Sequence, residues 1–293
     1  MVLLNGKGLR HRHQGPETAF WEIDPVQVGI GEAEQPLPAK TIIGRPDPMD
    51  AQSAWRSPTS YNNLPATQPR ANLRYCIDPM PARVSETFVL RTYPFREADL
   101  IVSFLTRDLG KLRGVARRAR RPKSPFGSGL ERLSQVRMAY FQKENAELVS
   151  LSGCELIESQ FGLQSEYAMS VVLDYFTEVT EQVLPAHEPN EKFFRLLASV
   201  LAYLRAGGDE GRAWTGVTYF SVWTVRLLGL WPETRVSEET AEIVHEMFEK
   251  PIADLQPRAW SKSTASDLRR ALIRTMEQHA ERRFLTVPLL EAL

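Results

Sequence analysis

The residues of this chain best suited to chemistry are cations. Between Lys111 and Ser124 the sequence reads KLRGVARRARRPKS, with seven Lys and Arg in fourteen positions and no acid among them. Such side chains make and break no bonds by themselves; they neutralise a polyanion, and every phosphate they meet releases condensed counterions, which makes the binding salt-dependent. A basic run is also the ordinary composition of a solvated surface. Spacing favours the first reading. Lys111, Arg113 and Arg117 fall near alternate positions of a β-type segment and so share one face, and Arg118, Arg120, Arg121 and Lys123 continue into the loop behind it. Tyr93, Phe95 and Phe126 flank the run as candidates for base stacking. Small barrels fill their interiors with the same side chains, so core packing is the favoured reading of all three.

Signatures of catalysis are missing. The sequence has no phosphate-binding glycine loop of the G-x-x-x-x-G-K-[ST] type, no G-x-S-x-G elbow, no H-E-x-x-H pair and no G-x-G-x-x-G turn. Its two cysteines, Cys76 and Cys154, lie far apart without metal-ligand spacing, and Cys154 sits in an apolar strand pattern that reads as packing. His11, His13 and His187 fall in the tail or a loop, while His245 and His279 lie on charged helical segments. No catalytic residue, cofactor or metal is therefore expected. With no run of eighteen apolar residues, no membrane helix is expected either, and the start MVLLNGKGLRHRHQ is too weakly apolar for a secretory signal. A cytoplasmic protein is the expectation.

The elements that must position the cations fall into three pieces. Residues 1–82 hold eleven of the twenty prolines and show neither helical nor strand periodicity. Such a segment buries too little apolar surface to offset its ordering entropy, so it reads as a disordered extension. Met80 stands directly before the first patterned strand, leaving open whether this extension is a genuine tail or lies upstream of the true start. Residues 83–160 change texture. ETFVLRTYPF (86–95), DLIVSFLTRD (99–108), KLRGVARRA (111–119), LSQVRMAYFQK (133–143) and ELVSLSGCEL (147–156) read as five short strands, the size and strand number of an OB-type barrel. Large residues stand on both faces of the fourth, as a curled sheet requires. Residues 161–293 read as a helical domain. Segments 167–184, 190–207, 211–230 and 264–283 carry apolar residues at helical spacing, with Asn190 and Ser263 or Ser266 as N-caps and Gly207 and Gly229 as stops. The third segment, with Trp214, Tyr219, Phe220 and Trp223, is apolar almost all round and should form the buried centre. The fold class is thus α+β, a five-stranded OB barrel followed by an all-α bundle.

Net charge is zero over the whole chain but not over its parts. Lys and Arg against Asp and Glu number 8 and 8 in residues 1–82, 14 and 9 in 83–160, and 14 and 19 in 161–293. The excess of five cations lies in the barrel, which points to one anion-binding face on an otherwise ordinary protein.

The barrel sequence also resembles a known family. VLRTYPFREADLIVSFLTRDLGKLRGVARRARRPKSPFGSGLERLSQVRMAYFQ, followed by LVSLSGCELIES, is similar to the N-terminal part of the bacterial DNA repair protein RecO family. Its specific features are READ before an apolar strand, the GK turn entering VARRARRPKS, and LERLS before the next strand. LLGLWPE resembles the end of the family's long central helix, so the likeness runs over residues 85–285. It implies a recombination mediator without catalytic activity, which binds single- and double-stranded DNA, anneals complementary strands, and works with RecR and single-stranded DNA-binding protein to help RecA load at gaps. It places DNA contacts on Lys111, Arg113, Arg117, Arg118, Arg120, Arg121 and Lys123, and the protein at the nucleoid. One departure is plain. Many members carry a four-cysteine zinc module after this helix, whereas WPETRVSEETAEIVHEMFEKPIADLQP contains no cysteine. From the residues alone, an RNA-binding OB protein and a protein-interaction scaffold remain as alternatives.

Overall fold

The computed structural model describes residues 2–4, 82–142, 147–207 and 209–293. Five strands, β2 (Arg83–Phe95), β3 (Asp99–Thr106), β4 (Gly110–Ala116), β5 (Gln135–Phe141) and β6 (Val149–Glu158), close into a barrel in the order β2-β3-β4-β6-β5. All pairings are antiparallel except β4 with β6. This is the five-stranded OB barrel expected from the sequence.

Strand alternation sorts the side chains. Val89, Val102, Phe104, Leu112, Ala116, Val136, Met138, Tyr140, Val149 and Leu151 point inward and form the barrel core. On the outer face Phe88, Leu90, Leu105 and Leu133 are buried too, because they pack against the helices. Phe88 meets Phe194 with ring centroids 4.7 Å apart. The large residues on both faces of β2 and β3 therefore have two causes, the closed barrel inside and a helical layer outside. Gly114 fits where β6 crosses closely, since a Cβ there would stand 2.8 Å from side-chain atoms of Val149 and Leu151. Gly110 has a φ of +73° and would drive a Cβ into the Glu188 carbonyl at 1.9 Å. Only glycine serves both the turn and this contact.

The helices are α1 (Phe161–Gln164), α2 (Tyr167–Val183), α3 (Glu191–Arg205), α4 (Glu210–Leu227), α5 (Glu238–Glu249), α6 (Ser266–His279) and α7 (Val287–Ala292). Asn190 caps α3 by accepting from Phe193 N at 3.0 Å, and Gly229, at φ +69°, ends the region of α4. Every residue from Ala213 to Val225 is buried, so α4 is the centre of the bundle as its all-round apolarity requires. The entry to α6 differs from expectation. Ala265, at φ +53°, stands at the N-cap and neither Ser263 nor Ser266 caps with its side chain. The left-handed residue turns the chain so that the carbonyls of Thr264 and Lys262 both reach the buried Arg269 guanidinium. Helix α7 is tied down by Glu178 of α2, which accepts from Leu285 N, Thr286 N and Thr286 Oγ1 at 2.9, 2.8 and 2.6 Å.

In the stretch that lacks the four cysteines, a carboxylate organises the chain. Buried Glu246 accepts from Gln256 N at 2.6 Å and Lys250 Nζ at 3.3 Å, and pairs with Arg258. Burial opposes its ionisation, but these donors together hold its pKa below the ordinary value. Beside it Trp223, Phe248 and Trp231 pack edge to face. The short strand β7 (Thr234–Val236) in this stretch pairs antiparallel with β1 (Val2–Leu4), Val2 opposite Val236. These three residues of the expected extension are thus a strand; the remainder of its first 81 positions lies outside the described residues.

Candidate nucleic-acid interface

Along β4 burial alternates without a break. Gly110, Leu112, Gly114 and Ala116 face in, and Lys111, Arg113 and Val115 face out. Beyond Ala116 the chain leaves the barrel in a succession of turns, with Arg118 at φ +56° and Lys123 at φ +62°. Main-chain bonds close those turns: Arg121 N donates to Arg118 O at 3.0 Å and Ser124 N to Arg121 O at 3.2 Å. Two more anchor them to the tip of the β2–β3 hairpin, Arg118 N to Asp99 Oδ1 at 2.8 Å and Arg120 N to Ala98 O at 3.1 Å. Asp99 is therefore engaged with the backbone of the basic loop, and its carboxylate braces the loop's shape.

The seven predicted cations divide into two groups. Arg117, Arg118, Arg120, Arg121 and Lys123 are all exposed, and among the described residues none of them forms an ion pair. Lys111 and Arg113 face the helical domain. The Lys111 ammonium donates to the Glu181 carbonyl at the C-terminal end of α2, and burial lowers its pKa. Arg113 Nη2 meets Glu181 Oε1 at 3.1 Å, and Ser103 Oγ donates to Glu181 Oε2 at 2.6 Å. The alternation that put Lys111 and Arg113 on the outer face is right; a helix covers that end of the face, which strand periodicity does not reveal.

The aromatic candidates divide as well. Tyr93 is 37% exposed on the outer face of β2. It stands in register with Ile101 of β3, which stands in register with Val115 of β4. Phe95 is half-buried, with the Arg96 guanidinium 5.1 Å above its ring centre. Phe126 takes the packing alternative and is no stacking candidate. It is 3% exposed and belongs to the barrel core, held there where the loop of residues 123–129 meets Cys154 of β6. The loop is fastened there by Gly129 N and Cys154 Sγ, both donating to the Phe126 carbonyl. No base can reach that ring. Burial pushes the Cys154 thiol up to about 11, which keeps it protonated at neutral pH, in keeping with a packing role.

Sequence reasoning missed two cations of the same face. Arg91 is exposed on β2 in the row Arg91, Ser103, Arg113, and exposed Arg96 sits at the hairpin tip beside the basic loop. The signal for Arg91 was its separation of two from Tyr93, which puts both on one strand face. Arg91 and Tyr93 share the outer face of β2, and Arg96 and the five cations without an ion pair among the described residues are exposed at and beside the β2–β3 hairpin tip to which the basic loop is anchored. Such a surface can neutralise a run of phosphates and offer a ring to a base. Among the described residues no three His, Cys, Asp or Glu side chains come together as a metal site.

Comparison with known proteins decides the family. The model described as recombination protein O N terminal matches residues 80–160, and the one described as recombination protein O C terminal matches residues 164–235. The DNA repair protein RecO of Koribacter versatilis is 33% identical over 243 residues, covering 71% of this chain and 98% of that protein. This chain belongs to the RecO family. RecO of Cutibacterium acnes is 35% identical over 133 residues, 45% of this chain and 54% of its own length, and RecO of Thermodesulfovibrio yellowstonii is 34% identical over 120 residues, 41% and 48%. Membership makes the chain a DNA repair and recombination protein, and the OB barrel is the N-terminal RecO domain. Among the described residues no helix is long and apolar enough to cross a membrane.

Proposed function

We propose that the outer face of this barrel binds single- and double-stranded DNA, that the protein anneals complementary strands, and that with RecR it helps RecA load on gaps held by single-stranded DNA-binding protein. The observation that carries the reading is the set of five exposed cations, Arg117, Arg118, Arg120, Arg121 and Lys123, without ion-pair partners among the described residues, next to an exposed Tyr93. Cations held apart from carboxylates keep their full attraction for phosphate. Annealing needs no nucleophile, because the barrier to pairing is the mutual repulsion of two backbones, and a surface that neutralises both lowers it while holding the strands near one another. The protein acts at the nucleoid as a binding factor and not as an enzyme.

A fluorescent single-stranded oligonucleotide titrated across a salt series tests this. Five phosphate contacts at about 0.7 each give a slope of log affinity against log salt near −3.5. Complementary strands should anneal faster with the protein present, and a matched RNA strand should compete less well than DNA. A slope shallower than about −1, or no acceleration of annealing, refutes the proposal. Equal competition by RNA would turn the site over to RNA binding.

A further inference from the structure

We propose that Glu181 is a built-in competitor for the DNA backbone: its carboxylate occupies the end of the basic face at the domain junction and withholds Arg113 from phosphate. The inference rests on the DNA-binding reading above and deepens it.

The placement of Glu181 is electrostatically odd for a helix. It lies in the last turn of α2, where the helix dipole disfavours a negative side chain. Nothing within α2 explains a carboxylate there. Its partners lie across the junction, on the barrel. One oxygen takes the Ser103 hydroxyl at 2.6 Å, the other takes Arg113 Nη2 at 3.1 Å, and the main-chain oxygen of the same residue takes the Lys111 ammonium. A hydroxyl and a guanidinium offered to two oxygens of one anion is the donor set a phosphodiester would accept.

Arg113 is poised between two claims. Its side chain is 57% exposed while that of Glu181 is 9% exposed, so the guanidinium has an outer side open to solvent and an inner side on the carboxylate. Arg113 lies within β4 and Arg117 directly follows its end, so a DNA strand lying on β4 towards the helices meets both. On that path Glu181 repels the incoming backbone and holds the cation that would receive it. The usable groove therefore ends near Arg117, and Glu181 sets how far along β4 a strand is gripped.

Replacing Glu181 with Gln removes the charge and keeps an acceptor for Ser103. Glu181→Gln should bind single-stranded oligothymidylate about fourfold more tightly at about 0.15 M salt, with a slope steeper by about 0.7, the worth of one added phosphate contact. The double variant Glu181→Gln with Arg113→Ala should lose that gain. In the otherwise unchanged protein Arg113→Ala should flatten the slope much less than Arg117→Ala, because Arg113 is engaged; this comparison decides the matter even where Glu181→Gln folds poorly. Unchanged affinity in Glu181→Gln, a gain that persists without Arg113, or equal slope losses for Arg113→Ala and Arg117→Ala would each overturn the role of Glu181. Removing Arg117, Arg120 and Arg121 together separates the two failures. If that variant loses DNA binding while Glu181→Gln changes nothing, only the competitor is wrong; if it binds as before, the DNA site itself is wrong.

Discussion

The decisive perturbation of the basic loop is the joint replacement of Arg117, Arg120 and Arg121 by Ala. The structure selects these three. Lys111 and Arg113 are engaged with Glu181, so their loss mixes binding with packing. Arg118 and Lys123 hold left-handed backbone positions, where a substitution also alters the turn. Arg117, Arg120 and Arg121 are exposed and make no ion pair among the described residues, so removing them takes away charge and little else. At about 0.7 per contact, the log–log salt slope should flatten by about 2. At about 0.15 M salt each such contact is worth roughly fourfold in affinity, so the three together cost about 50-fold. The loss should be alike for every sequence tested, because phosphate contacts position the strand and read no bases. Folding should be spared, with stability within about 0.5 kcal/mol of the parent, since exposed substitutions away from special features rarely do more. Fluorescence anisotropy across a salt series measures slope and affinity, urea unfolding measures stability, and strand annealing should fall in step with binding. A folded variant with an unchanged slope would mean that the run is only solvated surface. A slope change confined to one DNA sequence would refute backbone reading.

Lys111→Ala should leave the slope nearly unchanged and cost about 2 kcal/mol in urea unfolding, because it removes a charged hydrogen bond that joins the barrel to α2. Phe126→Ala should destabilise the barrel by about 3–5 kcal/mol as a core truncation, while Tyr93→Ala should keep the fold and weaken single-strand binding by about 1–3 kcal/mol, the worth of one stacked base. Glu246→Gln should cost about 1–2 kcal/mol, since it weakens charged hydrogen bonds to Arg258 and Lys250 but leaves both cations partly solvated. Since the Glu246 pKa is lowered from its ordinary 4.5, its contribution is present above that value and lost as pH falls through the lowered one; acid titration of stability below about pH 4.5 should be shallower in the variant than in the parent. Purified protein dialysed and assayed by elemental analysis should hold no stoichiometric zinc, and one zinc per chain would refute the expectation from the missing cysteines. A chain beginning at Met80 should retain the salt slope, because the proposed DNA contacts run from Arg91 to Lys123; a loss of DNA affinity would show that the extension takes part in the site.

Local patterns carried most of the fold. Five strands stood within a few residues of their sequence-read limits because strand alternation and the breaks between the runs are local signals, legible without knowledge of neighbours. The four long helices followed for the same reason, with α3 starting where Asn190 caps it. What escaped was structure whose cause is remote. Helix α7 is short, and its start is fixed by Glu178, more than a hundred residues earlier in the chain. Helix α5 lies where many family members carry a zinc module, and the node found there, Glu246 with Gln256, Lys250 and Arg258, is a tertiary arrangement spelled by no motif. Strand β7 is three residues long and exists by pairing with Val2–Leu4, across more than two hundred positions of sequence.

The same division governs the site. A run of cations is visible in one dimension, but which of them remain available is decided by what is brought against them in three. Arg113 and Arg117 differ by four positions and not at all in chemistry, yet one meets the end of a helix and the other meets water. Phe126 and Tyr93 are likewise equivalent candidates on paper; the loop of residues 123–129 carries the first into the barrel core, and a strand whose outer face lies beyond the helical layer leaves the second exposed. Charge and aromaticity therefore suggest a ligand class, a phosphate polymer with stackable bases, whereas in our proposal the helical domain limits the reach of the groove through Glu181, which holds Arg113 and Ser103. A site read from composition alone would extend along the whole of β4. On the reading proposed above, Glu181 shortens the site at Arg113, while exposed Arg91 and Arg96 extend it towards the β2–β3 hairpin.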